Sequence, residues 1–163
     1  MDLSHILGNW ITELENTPQN PQWHGEGDVL RHTQMVCRAL ESLDAYQKAD
    51  EETKTILFLA AALHDLGKIT ATRQEAGQWV SPGHGRKGAE MARQSLWMDL
   101  GLCGTPEKQR LREAVCLLVR YHSVPAYAVS HPDGLRLLRK IAANGEQVRA
   151  FCLDWVCTLA QGD

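Results

Sequence analysis

Residues 56–70 read Ile56-Leu57-Phe58-Leu59-Ala60-Ala61-Ala62-Leu63-His64-Asp65-Leu66-Gly67-Lys68-Ile69-Thr70. After Thr55 the stretch is apolar on every face, so the spacing predicts a central, fully buried helix over about Glu51 to Leu66, ended by Gly67. The pair His64-Asp65 falls at the end of this helix. An unpaired imidazole or carboxylate buried there costs several kcal/mol. A metal ion satisfies both groups at once.

Working outward, apolar periodicity predicts helices on either side. Leu3, Ile6, Leu7, Trp10, Ile11 and Leu14 mark a helix over 3–15, ended by Pro18 and Pro21, with a loop from Asn16 to Gly27. Asp28 is a plausible N-cap for a helix over 29–46 with the stripe Val29, Thr33, Val36, Leu40 and Leu43. At helical spacing His32 falls on the edge of that stripe and faces inward. Lys68 to Gly83 reads as a loop with room for a short hairpin. A helix follows from His84 to about Leu100, where Gly88 and Ala92 let a neighbour approach closely. Another runs from Glu107 to His122, with Leu111, Val115, Leu118 and His122 on one face. After a turn around Pro125 and Pro132, two helices are expected over 134–143 and 145–161. With no strand-like alternation or repeat, the class is all-α. In the last helix Val148, Phe151, Cys152, Trp155 and Leu159 define the buried stripe; Asp163 continues it, and Asp154 lies off it.

Length and composition narrow the function. With 163 residues the chain fits a single domain, 1–163, of which 1–22 form an N-terminal helix and loop outside the motif region. Such a chain buries a core without disulfides or structural metal, so a metal here is chemical before it is structural. A net charge of −3 excludes the basic field that grips long duplex nucleic acid, while a small phosphorylated molecule such as a nucleotide, or an RNA end, needs only local positive charge. The five cysteines, odd in number and never spaced C-x-x-C, read as reduced residues of a cytoplasmic protein rather than a disulfide frame or zinc knuckle. No apolar run approaches the ~20 residues that span a bilayer, and the N-terminus has no basic, apolar leader pattern.

The full order is His32, His64-Asp65, His84, His122 and Asp163. Together with HDLGK over 64–68, H-x-x-x-G-A over 84–89 and Gly27-Asp28-Val29-x-x-His32-Thr33, it resembles the HD superfamily of metal-dependent phosphohydrolases. Within it the motifs are most similar to the HD domain of bacterial CCA-adding tRNA nucleotidyltransferases and its stand-alone relatives, from about Trp23 to Asp163. The resemblance implies a compact all-α HD domain with a metal site between its central helices. It assigns His32, His64, Asp65 and Asp163 as ligands. Two imidazoles and two carboxylates suit Mn, Fe, Ni, Co or Zn, as one or two ions. In some HD proteins the equivalents of His84 and His122 complete a second site bridged by the equivalent of Asp65; in others they touch the scissile phosphate. Both arrangements stay open. Leu159-Ala160-x-x-Asp163 resembles the family's last motif, and family members usually continue beyond it, so the chain is expected to be the N-terminal part of a longer protein.

The implied function is hydrolysis of phosphomonoesters or phosphodiesters of nucleotides or RNA ends, terminal or 2′,3′-cyclic, by in-line attack of an activated water. Asp65, Lys68, His84 and His122 are the expected catalytic residues. Lys68 leaves the helix end beside the pair as a charge for phosphate, or equally as a cation favoured by the helix dipole. Arg86 and Lys87 either bind a second phosphate or form a solvated face. Trp23 and Trp79 either stack a base or pack in their loops. The alternative function is a non-catalytic nucleotide-sensing or regulatory module. Against it, a pure scaffold gains little from burying clustered His and Asp.

Overall fold

Capping side chains and apolar spacing set where the helices begin and stop in the computed structural model, which describes residues 2–146, 148 and 151–163. Asp2 caps α1 (Leu3–Leu7), and Gly8 then turns the chain at φ +47°, a conformation that glycine adopts without steric penalty. A 3-10 turn (Gly8–Trp10) leads into α2 (Ile11–Glu15), so the expected helix over 3–15 is broken in three. Asp28 accepts a hydrogen bond from the Arg31 amide at 2.8 Å and opens α3 (Val29–Ser42). Leu43 is extended, and the expected continuation to Tyr46 becomes a separate turn, α4 (Asp44–Gln47). Asp50 caps α5 (Glu51–Leu63), every residue of which is buried from Ile56 onward.

A tight turn over 64–67 leads to α6 (Lys68–Ala71) and then a hairpin of β1 (Arg73–Glu75) and β2 (Gln78–Val80), antiparallel with Gln74 opposite Trp79. α7 (His84–Met98) and α8 (Pro106–Tyr121) follow. The expected turn at Pro125 is instead a helix, α9 (Val124–Ser130); proline in a first turn forfeits only an amide that had no intrahelical partner. α10 (Gly134–Gly145) ends where the last helix was expected to begin, and α11 (Leu153–Gly162) starts eight residues later than that expectation. Of the expected helical segment, Gln147, Arg149 and Ala150 lie outside the described residues.

α5 is the central element, packed against α3 on one side and α8 on the other, with α11 touching all three and α7 lying along α8. Ile56, Leu63, Leu40, Leu118 and Leu159 meet in this core, and Ile6, Leu7 and Leu14 from the N-terminal helices join it. Gly67 is not the end of the central helix that was expected: α5 stops at Leu63, and Gly67, at φ −67°, instead leads into α6. Its role is steric: a Cβ there would overlap the His84 carbonyl oxygen and the Gly88 amide nitrogen. Gly67 and Gly88 thus bring the 64–67 turn against the start of α7, which seats His84 beside Asp65. No helix of the described residues is long and apolar enough to cross a membrane.

Candidate metal centre

Element ends converge on one buried point. His64 continues directly from α5 in helical conformation, with Asp65 next in the turn. His122 occupies the same place after α8, His84 opens α7, and Asp163 follows α11 with its amide still bonded to the Leu159 carbonyl at 3.2 Å. His32 projects from the first turn of α3, on its buried side. His64, Asp65 and His122 are at most 2 % exposed. The structure therefore gathers all six residues of the expected constellation. Asp154 is exposed on α11, away from them.

Asp65 lies in the middle. Its Oδ2 is 3.3 Å from His64 Nε2 and 3.7 Å from His32 Nε2; its Oδ1 is 3.5 Å from His84 Nε2 and 3.8 Å from His122 Nε2. Asp163 Oδ1 closes the first side, 2.9 Å from His32 Nε2 and 3.6 Å from His64 Nε2. Among the described residues three groups of donors have their donor atoms within 4.8 Å of one another: His32–His64–Asp163 and Asp65–His84–His122 around Asp65, and His24–Glu26–His32 at the outer edge.

The other face of each ring fixes its tautomer. Nδ1 of His64 donates to the Ala61 carbonyl at 2.7 Å, that of His122 to Val119 at 2.7 Å, and that of His84 to Ser81 at 2.8 Å. The Nε2 lone pairs are therefore turned into the centre. His64 Nε2 and both Asp65 oxygens are buried without a hydrogen-bond partner. Buried polar atoms are rarely left so, and inward lone pairs with carboxylate oxygens are what a divalent transition ion coordinates. The residues present fit such an ion.

The electrostatics agree. Burial works against a charged His64, yet Asp65 and Asp163 raise it to about 9. Burial, reinforced by the neighbouring His64, pushes His122 down to about 4. Burial would raise the Asp65 carboxyl, but His64, Lys68 and His122 hold it well below the usual range. Asp163 is likewise held low against burial by the His32 hydrogen bond and the His64 charge. These are two carboxylates held ionised among imidazoles, a strong attraction for cations.

Lys68 is buried with its Nζ 2.7 Å from Asp65 Oδ2, a charge contact rather than an aligned hydrogen bond, and donates to Gln19 Oε1 at 2.7 Å. It also lines a cleft of about 610 Å³ between the 19–24 loop and the hairpin, with His84, Trp23 and Trp79 on the same walls. Arg86 is exposed outside this cleft, and the half-buried Lys87 donates to the Thr70 carbonyl at 2.9 Å. The thiols of Cys37 and Cys116 are buried and pushed up to about 12, so neither is a nucleophile; all five cysteines are free.

Three residues of the site escaped sequence reasoning. Glu26 Oε1 accepts from His24 Nδ1 at 3.0 Å and stands 2.8 Å from His32 Nδ1, a charge contact rather than an aligned hydrogen bond, and Gln19 holds Lys68. A carboxylate on the far nitrogen of a metal-ligating histidine is a recurrent device for orienting the ring. Periodicity could not find them, because all three lie in the irregular loop before α3. The one readable signal was a Glu and a His within eight residues of His32.

A protein-family model described as HD domain matches residues 29–152. No curated protein and no solved structure matches the chain, so the likeness to the CCA-adding enzymes rests on the motifs alone.

Proposed function

The chain belongs to the HD-domain family, and from that premise we propose that it is a metal-dependent phosphohydrolase acting on phosphomonoesters or phosphodiesters of nucleotides or RNA ends, terminal or 2′,3′-cyclic. The observation that carries this reading is Asp65, whose two partnerless buried oxygens each face a separate pair of imidazole nitrogens. His32, His64, Asp163 and Asp65 Oδ2 would hold one divalent ion; Asp65 Oδ1, His84 and His122 would hold a second. The donor set suits Mn, Fe, Co, Ni or Zn better than Mg or Ca, which favour all-oxygen shells. Such ions supply Lewis acidity, lowering the pKa of water and drawing charge from a phosphoryl oxygen.

The chain itself binds and orients. Asp65 and the backbone-locked histidines are preorganised, so little rearrangement accompanies the reaction. The Lys68 ammonium stands between Asp65 and the cleft, where it donates to a non-bridging phosphoryl oxygen. Water gives up a proton as its oxygen bonds to phosphorus, the ester P–O bond opposite breaks, and the leaving oxygen takes a proton. A monoester gives phosphate and an alcohol; a diester gives a monoester and an alcohol, or in a cyclic ester one ring-opened product. The motif resemblance and the two indoles in the cleft wall support nucleotide or RNA-end substrates, and the buried free thiols support a reducing, cytoplasmic setting.

The test is elemental analysis of the purified chain, followed by a panel of phosphomonoesters, linear diesters and cyclic nucleotides with Mn²⁺, Co²⁺ or Ni²⁺. Hydrolysis abolished by chelation is expected. Metal-loaded protein that binds a nucleotide tightly yet hydrolyses none of the panel would overturn the proposal in favour of a nucleotide-sensing module.

A further inference from the structure

The walls of the cleft are almost free of cationic charge. Among the described residues Lys68 is the only lysine or arginine lining the 610 Å³ cleft beside the metal centre, and it already faces Asp65. Glu75, at the rim, is neutralised by Arg73, whose Nε donates to it at 2.8 Å. A larger hollow of about 740 Å³ adjoins the cleft, sharing Trp79 and Gln78 with it. Among the described residues no lysine or arginine lines this hollow, whereas the acidic residues Glu15 and Asp28 do. A polyphosphate extending from the metal centre would meet no lysine or arginine of the cleft beyond Lys68, and like charge past it. Such juxtaposition is a usual means of rejecting a wrong ligand.

What these walls offer instead is flat apolar surface. Trp79 is carried on β2, opposite Gln74, and Trp23 stands on the facing loop with 80 % of its surface exposed. An indole left so open at a cleft mouth lacks a packing role, and aromatic faces stack nucleobases without demanding charge. Gln78, a neutral residue just before Trp79 on β2, lines the same cleft.

We infer, resting on the hydrolase reading above, that the cleft selects nucleosides carrying a single phosphoryl group, as a monoester or a cyclic diester, and rejects nucleoside polyphosphates. Trp79 and Trp23 stack the base, and Lys68 meets the one phosphate. Glu15 and Asp28 set the charge limit.

Steady-state kinetics of the metal-loaded protein test this with a nucleoside monophosphate, the matching triphosphate, and glycerol phosphate, which carries the ester without a base. The monophosphate is expected to exceed both others in kcat/KM by about tenfold or more. Trp79→Ala should cost the nucleotide about tenfold more than it costs glycerol phosphate, mainly through KM, and Trp79→Phe should restore most of the difference. Glu15→Lys, an exposed change at the end of α2, should raise kcat/KM for the triphosphate several-fold relative to the monophosphate. Quenching of tryptophan fluorescence by nucleoside monophosphate but not by inorganic phosphate should follow the same order among the Trp79 variants. If nucleotide, triphosphate and glycerol phosphate are hydrolysed equally well, the inference falls and the hydrolase reading stands. If no phosphoester is hydrolysed at all, both fall.

Discussion

His84 and His122 meet Nε2 to Nε2 at 3.1 Å, although the Nδ1 of each already donates to a backbone carbonyl. Two imidazole lone pairs at that separation repel each other unless positive charge lies between or beside them. The nearby oxygen, Asp65 Oδ1, is itself without a partner, so this half of the centre has acceptors and no donor. The first expected outcome follows from that imbalance. The purified protein should carry two divalent ions, His84→Ala should leave one, and Asp65→Ala should leave neither while helical circular dichroism persists. Normal metal content in Asp65→Ala would sink the assignment.

Asp163 and Asp154 lie on the same C-terminal segment and separate cleanly. Asp163 Oδ1 is 2.9 Å from His32 Nε2, whereas Asp154 is exposed. Asp163→Asn should weaken metal binding by at least tenfold and Asp154→Asn should leave it unchanged, as read by competition with a chromogenic chelator. Equal losses would move the carboxylate ligand elsewhere.

Glu26 acts through His32. Removing its carboxylate in Glu26→Ala frees the His32 ring to rotate, and metal affinity should fall about 10- to 100-fold with the thermal transition of the metal-free protein little changed. Glu26→Gln keeps one acceptor and should recover part of the loss. A residue that merely packed the loop would shift the transition and spare the affinity.

The pH dependence of the metal-free protein has opposite signs at two histidines. His64 is raised above its ordinary 6.5 to about 9, so its stabilising charge is fully present below about pH 6.5 and is lost as pH climbs through about 9. His122 is depressed to about 4, so its contribution is present above about pH 6.5 and is lost as pH falls towards 4. Metal-free stability should therefore pass through a maximum near neutrality in denaturant titrations. Metal must displace the His64 proton, so calorimetry should show affinity rising with pH up to about 9 and proton release vanishing above it. A flat profile between pH 7 and 9 would mean that His64 carries no proton to displace.

Lys68 stands over the cleft with one charged partner, Asp65. Lys68→Ala should lower kcat by about a hundredfold or more while bound metal stays close to wild type, because its donation matters most as charge builds on the transferring phosphoryl group. Loss of metal in proportion to activity would recast Lys68 as a support for Asp65 rather than a contact to phosphate.

Much of this molecule was legible in local features. The apolar run Ile56–Leu63, the inward phase of His32 and the preference for Asp163 over Asp154 follow from helical periodicity, which each segment carries by itself. Of the expected stripe only Trp155 and Leu159 fall within α11, and Val156 rather than the half-buried Trp155 is buried beside Leu159, yet Asp163 still lies one turn beyond Leu159 on that face. The breaks at Gly8 and Leu43 and the helix begun at Val124 were missed because they turn on single backbone torsions or on a proline in a first turn, which leave the apolar pattern unchanged.

Sequence by itself determined the helical class, the central buried helix and the six residues of the cluster, since contiguity, capping and apolar spacing are properties of the chain read in order. Tertiary structure alone decided how Asp65 divides its two oxygens between His32–His64 and His84–His122, and that Glu26, His24 and Gln19 support the cluster from an irregular loop. Those relations join side chains from separate elements. They exist because Gly67 and Gly88 let the 64–67 turn and α7 touch backbone to backbone, and because packing around α5 brings the ends of α8 and α11 to one point, distances that no spacing along the chain encodes.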